Sequence, residues 1–223
     1  MPPPQPVVLE RVATPRGELV LRRAGPHLEI ISNGTFLMDT RDGASERLLV
    51  RAALDAAGAA APRLLIGGLG VGFSLAEACA DPSVAAVTVV EIEPALVRWH
   101  ETHLRAVTGE ALRDPRVRLV VADLAEWLAT TSDRFDAICL DVDNGPSWTV
   151  VPANARLYGA AGLRLLRGRL RPGGALAVWS AAAEPAFELL LRERFADVAV
   201  HRVPVRRGEP DVVHVARAAR VAG

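Results

Sequence analysis

Two regimes of hydrophobic patterning divide the chain. From Val7 to about Met38, short runs that alternate apolar and polar positions, VVLERVA, ELVLRRA, HLEIIS and TFLM, are separated by Pro15–Gly17, Gly25–Pro26 and Asn33–Gly34. A period of two places the apolar residues on one face of a strand. Asn-Gly between two such runs is the strongest short hairpin signal. Residues 7–44 therefore read as a small antiparallel β unit. It is too small to bury a core alone and is expected to pack on the next domain or on another subunit. Residues 1–6, MPPPQP, read as a disordered tail.

From about Ser45 the period changes. SERLLVRAALDAA reads as a helix ending at Gly58. Strand-like RLLIG, AVTVVE, VRLVVAD, DAICLD and ALAVWS then alternate with helix-like FSLAEACA, PALVRWHETHLRAV, LAEWLATT, ARLYGAAGLRLLRGRL and EPAFELLLRERF. Alternating β and α units predict an α/β fold with a parallel sheet covered on both faces, and the nearly continuous apolar strands fit that double burial. The finish differs. DVAVHRVPV, a turn at Arg207–Pro210 and DVVHVARA predict an antiparallel terminal hairpin. Residues 45–223 thus read as one domain.

Composition narrows the function classes. The 223 residues suffice for one sizeable core. Twenty-six basic and twenty-six acidic residues balance, which argues against a general nucleic-acid or anionic-membrane binder. Every basic residue among those twenty-six is Arg, so a Schiff base, a pyridoxal phosphate anchor and a P-loop lysine are excluded. Cys79 and Cys139 lie in apolar runs and read as small buried hydrophobes of a reducing compartment, with neither a disulfide framework nor a zinc site. The N-terminus lacks a signal-peptide pattern and no run reaches about 18 apolar residues, so a cytoplasmic location is expected.

LLIGGLGVGFSLAEA carries the first chemistry. Gly67, Gly68, Gly70 and Gly72 follow the first strand of the α/β region and open a helix. Ligands in open α/β sheets bind beyond the carboxyl ends of the strands, where strand order reverses, and glycines there let a ligand lie against the main chain and a helix N-terminus. The next strand ends in Glu91, nineteen residues after Gly72, a place from which a carboxylate can accept from ribose hydroxyls. The glycine spacing departs from the dinucleotide fingerprint. A tight turn with no ligand and an NAD site are the competing readings. The antiparallel finish points away from NAD and towards the fold of AdoMet-dependent methyltransferases.

From Arg63 to Ser180 the chain resembles the spermidine synthase (polyamine aminopropyltransferase) family. VVEIEPALVRWHETHL, DPRVRLVVADLAEWL, FDAICLDVDNGP and LRPGGALAVWS follow that family's order and spacing, and TRDGASERLLVRAAL is similar to its entry region. The resemblance implies a Rossmann-like, seven-stranded methyltransferase-type sheet behind a small N-terminal β unit. It implies that Gly67, Gly68, Gly70 and Gly72 cradle the methionine-like part and ribose of S-adenosylmethionine (AdoMet) or decarboxylated AdoMet. Glu91 would bind the ribose, Asp123 the adenine amino group, and Leu124 would flank the ring; helix N-capping is the other reading of Asp123.

LDVDNGPSWT holds the reactive end. Asp141 matches the family's aspartate that holds and deprotonates an acceptor amine, and a carboxylate in reach suits that task. Asp143 lies on the opposite side of an extended chain unless the backbone turns; each could instead cap the loop. Three departures stand out. Gly70 replaces an aspartate that discriminates in favour of decarboxylated AdoMet. Glu46–Arg47 replace a Tyr followed by Gln or His in an ungapped alignment. Asn144 replaces the second aspartate of D-x-x-D. Arg47 could therefore pair with the carboxylate of AdoMet, or be an ordinary solvated helix residue.

The expectation is a transferase moving the methyl group of AdoMet to a small amine. Aminopropyl transfer from decarboxylated AdoMet and a non-catalytic nucleoside-binding, oligomerising protein are the alternatives. No metal, nucleic acid or membrane is expected, and the family's β unit implies a homodimer or homotetramer. His100, Glu101 and His103 miss the zinc-protease spacing and read as a polar helix face. His201 and His214 read as sheet residues. Trp148, Tyr158 and Trp179 read as pocket walls or packing, and LRLLRGRLRPGG as a solvated basic face.

Overall fold

The computed structural model describes residues 5–206 and 208–219. Most of the expected disordered tail and Arg207 of the last turn lie outside them. Four strands, β1 (Val7–Thr14), β2 (Gly17–Ala24), β3 (His27–Ser32) and β4 (Thr35–Asp39), form an antiparallel meander in the order β1-β2-β3-β4. The two-residue turn at Asn33–Gly34 uses left-handed backbone at both positions, which matches hairpin twist. Helix α1 (Ala44–Ala57) leads into β5 (Arg63–Gly67), α2 (Phe73–Ala80), β6 (Ala86–Glu91), α3 (Pro94–Glu101), α4 (Arg105–Thr108) and β7 (Val117–Val121). Then come α5 (Leu124–Thr130), β8 (Phe135–Leu140), α6 (Ala155–Tyr158), α7 (Ala160–Arg169), β9 (Leu170–Ser180), α8 (Pro185–Arg192), β10 (Asp197–Val203) and β11 (Asp211–Arg217).

The second sheet has the order β10-β11-β9-β8-β5-β6-β7. Strands β9, β8, β5, β6 and β7 are parallel, and β11 runs antiparallel to both β9 and β10. The chain builds outward from β5 through β6 to β7, then returns to β8 on the other side. The β5/β8 boundary is thus the switch point. Leu64, Leu65 and Ile66 of β5 are buried because helices cover both faces. Leu49, Val50 and Ala53 of α1 pack with Leu75 and Ala78 of α2 on one face. Leu128, Leu163, Leu166 and Leu191 from α5, α7 and α8 pack on the other.

The meander does not stand alone. Leu19, Leu21 and Ile30 pack on Leu96, Trp99 and Leu104 to form a third core between the two sheets. Trp99 is fully buried, and its indole N–H donates to Glu10 Oε2 at 2.9 Å. Truncating such an anchor removes about 3–5 kcal/mol.

Two expected helices break. PALVRWHETHLRAV ends its first helix at Glu101 because Thr102 takes non-helical dihedrals and its hydroxyl bonds Arg98 O at 3.1 Å, a local side-chain competitor to the backbone ladder. ARLYGAAGLRLLRGRL splits at Gly159, whose extended backbone caps α7. The histidine reading changes with the first break. His100 is only 3 % exposed rather than on a polar face, and His103 lies past the helix end, 3.0 Å from Glu10 Oε1. His214 is buried in β11 and His201 is exposed in β10. Among the described residues no helix is long and apolar enough to cross a membrane.

Candidate active site

Above the switch point lies a cavity of about 1090 Å³. The carboxyl ends of β5, β6 and β8 form its floor, the meander and the start of α1 one wall, and the β10–β11 turn another. The strand ends are knit together. Gly68 N donates to Val90 O and Asp141 N to Gly67 O, each at 2.9 Å.

The four glycines divide into two kinds. Gly68 and Gly70 line the cavity with left-handed backbone at φ +91° and +50°. A Cβ on Gly68 would meet the Asp141 carbonyl, and one on Gly70 would collide with Met38 Sδ. Gly67 and Gly72 do not line the cavity. Side chains there would collide with Leu124 and with Thr108, so these two serve close packing.

Glu91 ends β6 and is 5 % exposed. Its Oε2 accepts from Leu69 N and its Oε1 from Glu93 N, both at 2.8 Å. Burial raises its pKa, and those amides pull it back. Each oxygen keeps a second lone-pair direction for a hydroxyl donor. Leu124 lines the cavity beside Ala122, but Asp123 between them turns away. Its Oδ1 accepts from Glu126 N at 3.0 Å, capping α5, and its Oδ2 meets the Arg156 guanidinium at 2.6 Å. The helix-cap reading of Asp123 is the one realised in this geometry.

Asp141 follows β8 and lines the cavity floor. Ser74 Oγ donates to its Oδ2 at 2.9 Å. Burial first, and then the nearby carboxylates Glu46, Asp211 and Glu91, push its pKa up to about 7. Ser45 Oγ lies 2.7 Å from Asp211 Oδ2 and 2.9 Å from Glu46 Oε2. One hydroxyl proton serves one of these contacts, so the other closes when a carboxyl carries a proton. Burial raises both Glu46 and Asp211 in that direction.

Asp143 does not face Asp141 across an extended strand. Its φ is +56°, and it accepts from Val151 N at 3.3 Å and Asn154 Nδ2 at 2.7 Å, tying the loop. Asn144 is buried, with its carbonyl accepting from Ala181 N at 3.0 Å. Tyr158 packs under the loop and donates to Val142 O at 2.7 Å. Trp148 and Trp179 line the cavity, Trp148 at 56 % exposure.

Arg47 is a correction. It is absent from the cavity wall: its guanidinium lies 4.5 Å over the Phe73 ring and donates to Asp42 O at 2.8 Å. The helical turn that brings Glu46 inward carries Arg47 outward, towards Glu77. Ser74, Asp211, Met38 and Glu93 join the site without having been expected. Ser45 and Asp211 are 166 residues apart, and no local pattern pairs them. Cys139 is buried and Cys79 partly so, and burial raises both thiols. Among the described residues no three His, Cys, Asp or Glu side chains gather to hold a metal ion.

Known proteins are similar to this chain in sequence and in fold. A family model, the spermine/spermidine synthase domain, matches residues 46–189. Polyamine aminopropyltransferase 2 of Ralstonia nicotianae is 30 % identical over 162 residues, covering 71 % of this chain and 31 % of that protein. The polyamine aminopropyltransferase of Mycobacterium tuberculosis is 31 % identical over 166 residues, covering 72 % of this chain and 30 % of that protein. The chain spans about three-tenths of the length of these curated relatives. A spermidine synthase crystallised with the transition-state analogue AdoDATO shares the fold, with a TM-score of 0.80 at 16 % identity, over 95 % of this chain and 73 % of that one. By its sequence over residues 46–189, the chain belongs to the spermine/spermidine synthase family.

Proposed function

We propose that the chain transfers the aminopropyl group of decarboxylated AdoMet to a small amine. The names of its relatives support this reading over methyl transfer, reversing the order expected from the sequence. The observation that carries it is that Asp141 lines the floor of the same cavity as Gly68, Gly70 and Glu91. The donor's ribose hydroxyls would donate to Glu91, and its chain would run along Gly68 and Gly70. The acceptor amine would sit at Asp141.

The step is a displacement. The neutral amine nitrogen attacks the carbon beside the sulfonium, the C–S bond breaks, and its electron pair stays on sulfur as a thioether. The nitrogen's proton passes to Asp141. Holding both reactants in one cavity supplies most of the acceleration through orientation. The raised pKa of Asp141 suits a group that takes a proton near neutral pH. Two unpaired cysteines are in keeping with a cytoplasmic protein.

One observation favours methyl transfer as a second reading: Met38 stands where an acid on residue 70 would project. Incubation with putrescine and either AdoMet or decarboxylated AdoMet separates the readings. Aminopropyl transfer releases methylthioadenosine; methyl transfer releases S-adenosylhomocysteine. Neither product, with nucleoside binding retained, would overturn both.

A further inference from the structure

We infer that His100 is a positioning residue for the donor site, holding the peptide between Gly70 and Val71 in the orientation that the glycine loop presents to the nucleoside. The inference rests on the reading of this cavity as a sulfonium-nucleoside site, and it adds a residue that lies outside the cavity wall.

Both polar ends of that peptide are gripped by side chains from elsewhere in the chain. His100 Nε2 lies 2.9 Å from Gly70 O, and Val71 N donates to Met38 Sδ at 3.2 Å. A carbonyl oxygen accepts only, so Nε2 carries the ring proton. Nδ1 is then the acceptor end, 3.3 Å from Thr108 Oγ1, whose one proton is shared between Nδ1 and Leu104 O at 3.4 Å. Burial lowers the ring's pKa and keeps it neutral, which preserves this single tautomer. One residue earlier, Leu69 N is held by Glu91. Gly68, Gly70 and Gly72 all have left-handed backbone, and glycine peptides reorient with little steric resistance. A loop of this kind needs outside partners to keep one shape, and His100 supplies one. It is seated to do so because Thr108 and His100 press directly on Gly72.

The imidazole reaches Gly70 with Nε2. A glutamine amide nitrogen reaches about as far, an asparagine amide only as far as Nδ1, and leucine fills space without donating. His100→Gln, His100→Asn and His100→Leu in the full chain therefore separate hydrogen bonding from packing. Titration calorimetry with methylthioadenosine is expected to show roughly tenfold weaker binding for Asn and Leu, the scale of one hydrogen bond, with Gln restoring most of it. Donor KM should move in parallel while kcat at saturating donor stays near wild type. Imidazole nitrogen shifts of the 15N-histidine-labelled protein should report the Nε2–H tautomer, a readout that survives if the Leu variant does not fold. Wild-type affinity in a folded Asn or Leu variant, equal losses in Gln and Leu, or an Nδ1–H tautomer would each overturn the inference. If the wild type binds no adenosyl nucleoside, the donor-site reading fails and the inference with it; a binding wild type with indifferent variants sinks the inference alone.

Discussion

Arg16, in the turn between β1 and β2, sets its Nε 2.6 Å from Glu93 Oε1, just past the end of β6. The same side chain donates to Ile92 O at 3.0 Å, and Thr14 Oγ1 donates to Glu93 Oε1 at 3.2 Å. Glu93 is 7 % exposed and sits beside the buried Glu91. The first hairpin is thereby latched to the strand end that would bind ribose. Arg16→Ala leaves a buried carboxylate without its cation. Arg16 itself is partly exposed, so water recovers some of the loss, and the expected destabilisation is about 2 kcal/mol. A lower urea midpoint at unchanged slope would show it. Arg16→Lys should recover only part, because it cannot bridge Glu93 and Ile92 with a planar fork.

Met38 and Gly70 form a second link between the meander and the glycine loop. The thioether fills the direction a side chain on residue 70 would take. Gly70→Asp therefore meets two obstacles, a left-handed backbone and an occupied space. Their sum is expected to destabilise by about 2–3 kcal/mol. Met38→Ala in the same chain removes the collision but not the backbone strain. The double variant should be more stable than the sum of the single changes by about 1–2 kcal/mol. Strict additivity in a double-mutant cycle would mean that the loop relaxes away from Met38.

These links mark the boundary of what the sequence alone reveals. The meander, α2 and the strands of the α/β sheet were legible because period two and near-continuous apolar runs are local signals, and FSLAEACA spans the same residues as α2. The strand-end positions of Glu91 and Asp141, both of which line the cavity, are legible because an acid at a strand end needs only the strand to be placed. His100 was misread because amphipathicity describes a helix face and cannot show that Gly70, thirty residues earlier, packs against it. The sequence cannot separate Gly67 and Gly72 from Gly68 and Gly70, because glycine's residue type does not say whether the space beside it holds a ligand or, as beside Gly67, Leu124. Alignment alone puts Arg47 at the donor, but one step along a helix is about 100° of rotation, and that rotation turns it out of the site while Glu46 lines the cavity.

Asp141 makes two linked pH predictions. Its native pKa, about 7, lies above the ordinary 3.8, so the folded protein holds a proton between those values that the unfolded chain has lost. Stability contributed by this group therefore falls as pH rises from about 4 to about 7 and is level above that. Asp141→Asn should be more stable than wild type at pH 8, by on the order of a few kcal/mol, with the difference vanishing near pH 4. Turnover should move the opposite way, rising through about pH 7 in wild type as the carboxylate forms. The rise belongs to the cluster of Asp141, Glu46 and Asp211 rather than to one group. Full turnover in the Asn variant would remove Asp141 from the proton transfer.

Asp123 separates a cap from a ligand. Its carboxylate serves Glu126 N and Arg156, while Ala122 and Leu124 face the cavity. Asparagine caps helices about as well as aspartate, so Asp123→Asn should hold stability within about 0.5 kcal/mol, and Asp123→Ala should lose about 1 kcal/mol. If capping is its whole task, both variants bind methylthioadenosine as wild type does. If instead Arg156 yields and the carboxylate accepts from the adenine amino group, Asp123→Asn weakens binding without lowering stability. The deaminated nucleoside sharpens the comparison. It lacks the amino donor, so an accepting Asp123 would make wild type prefer the adenine form and the Asn variant lose that preference. The geometry leads us to expect the same base preference in both, measured as the ratio of the two dissociation constants.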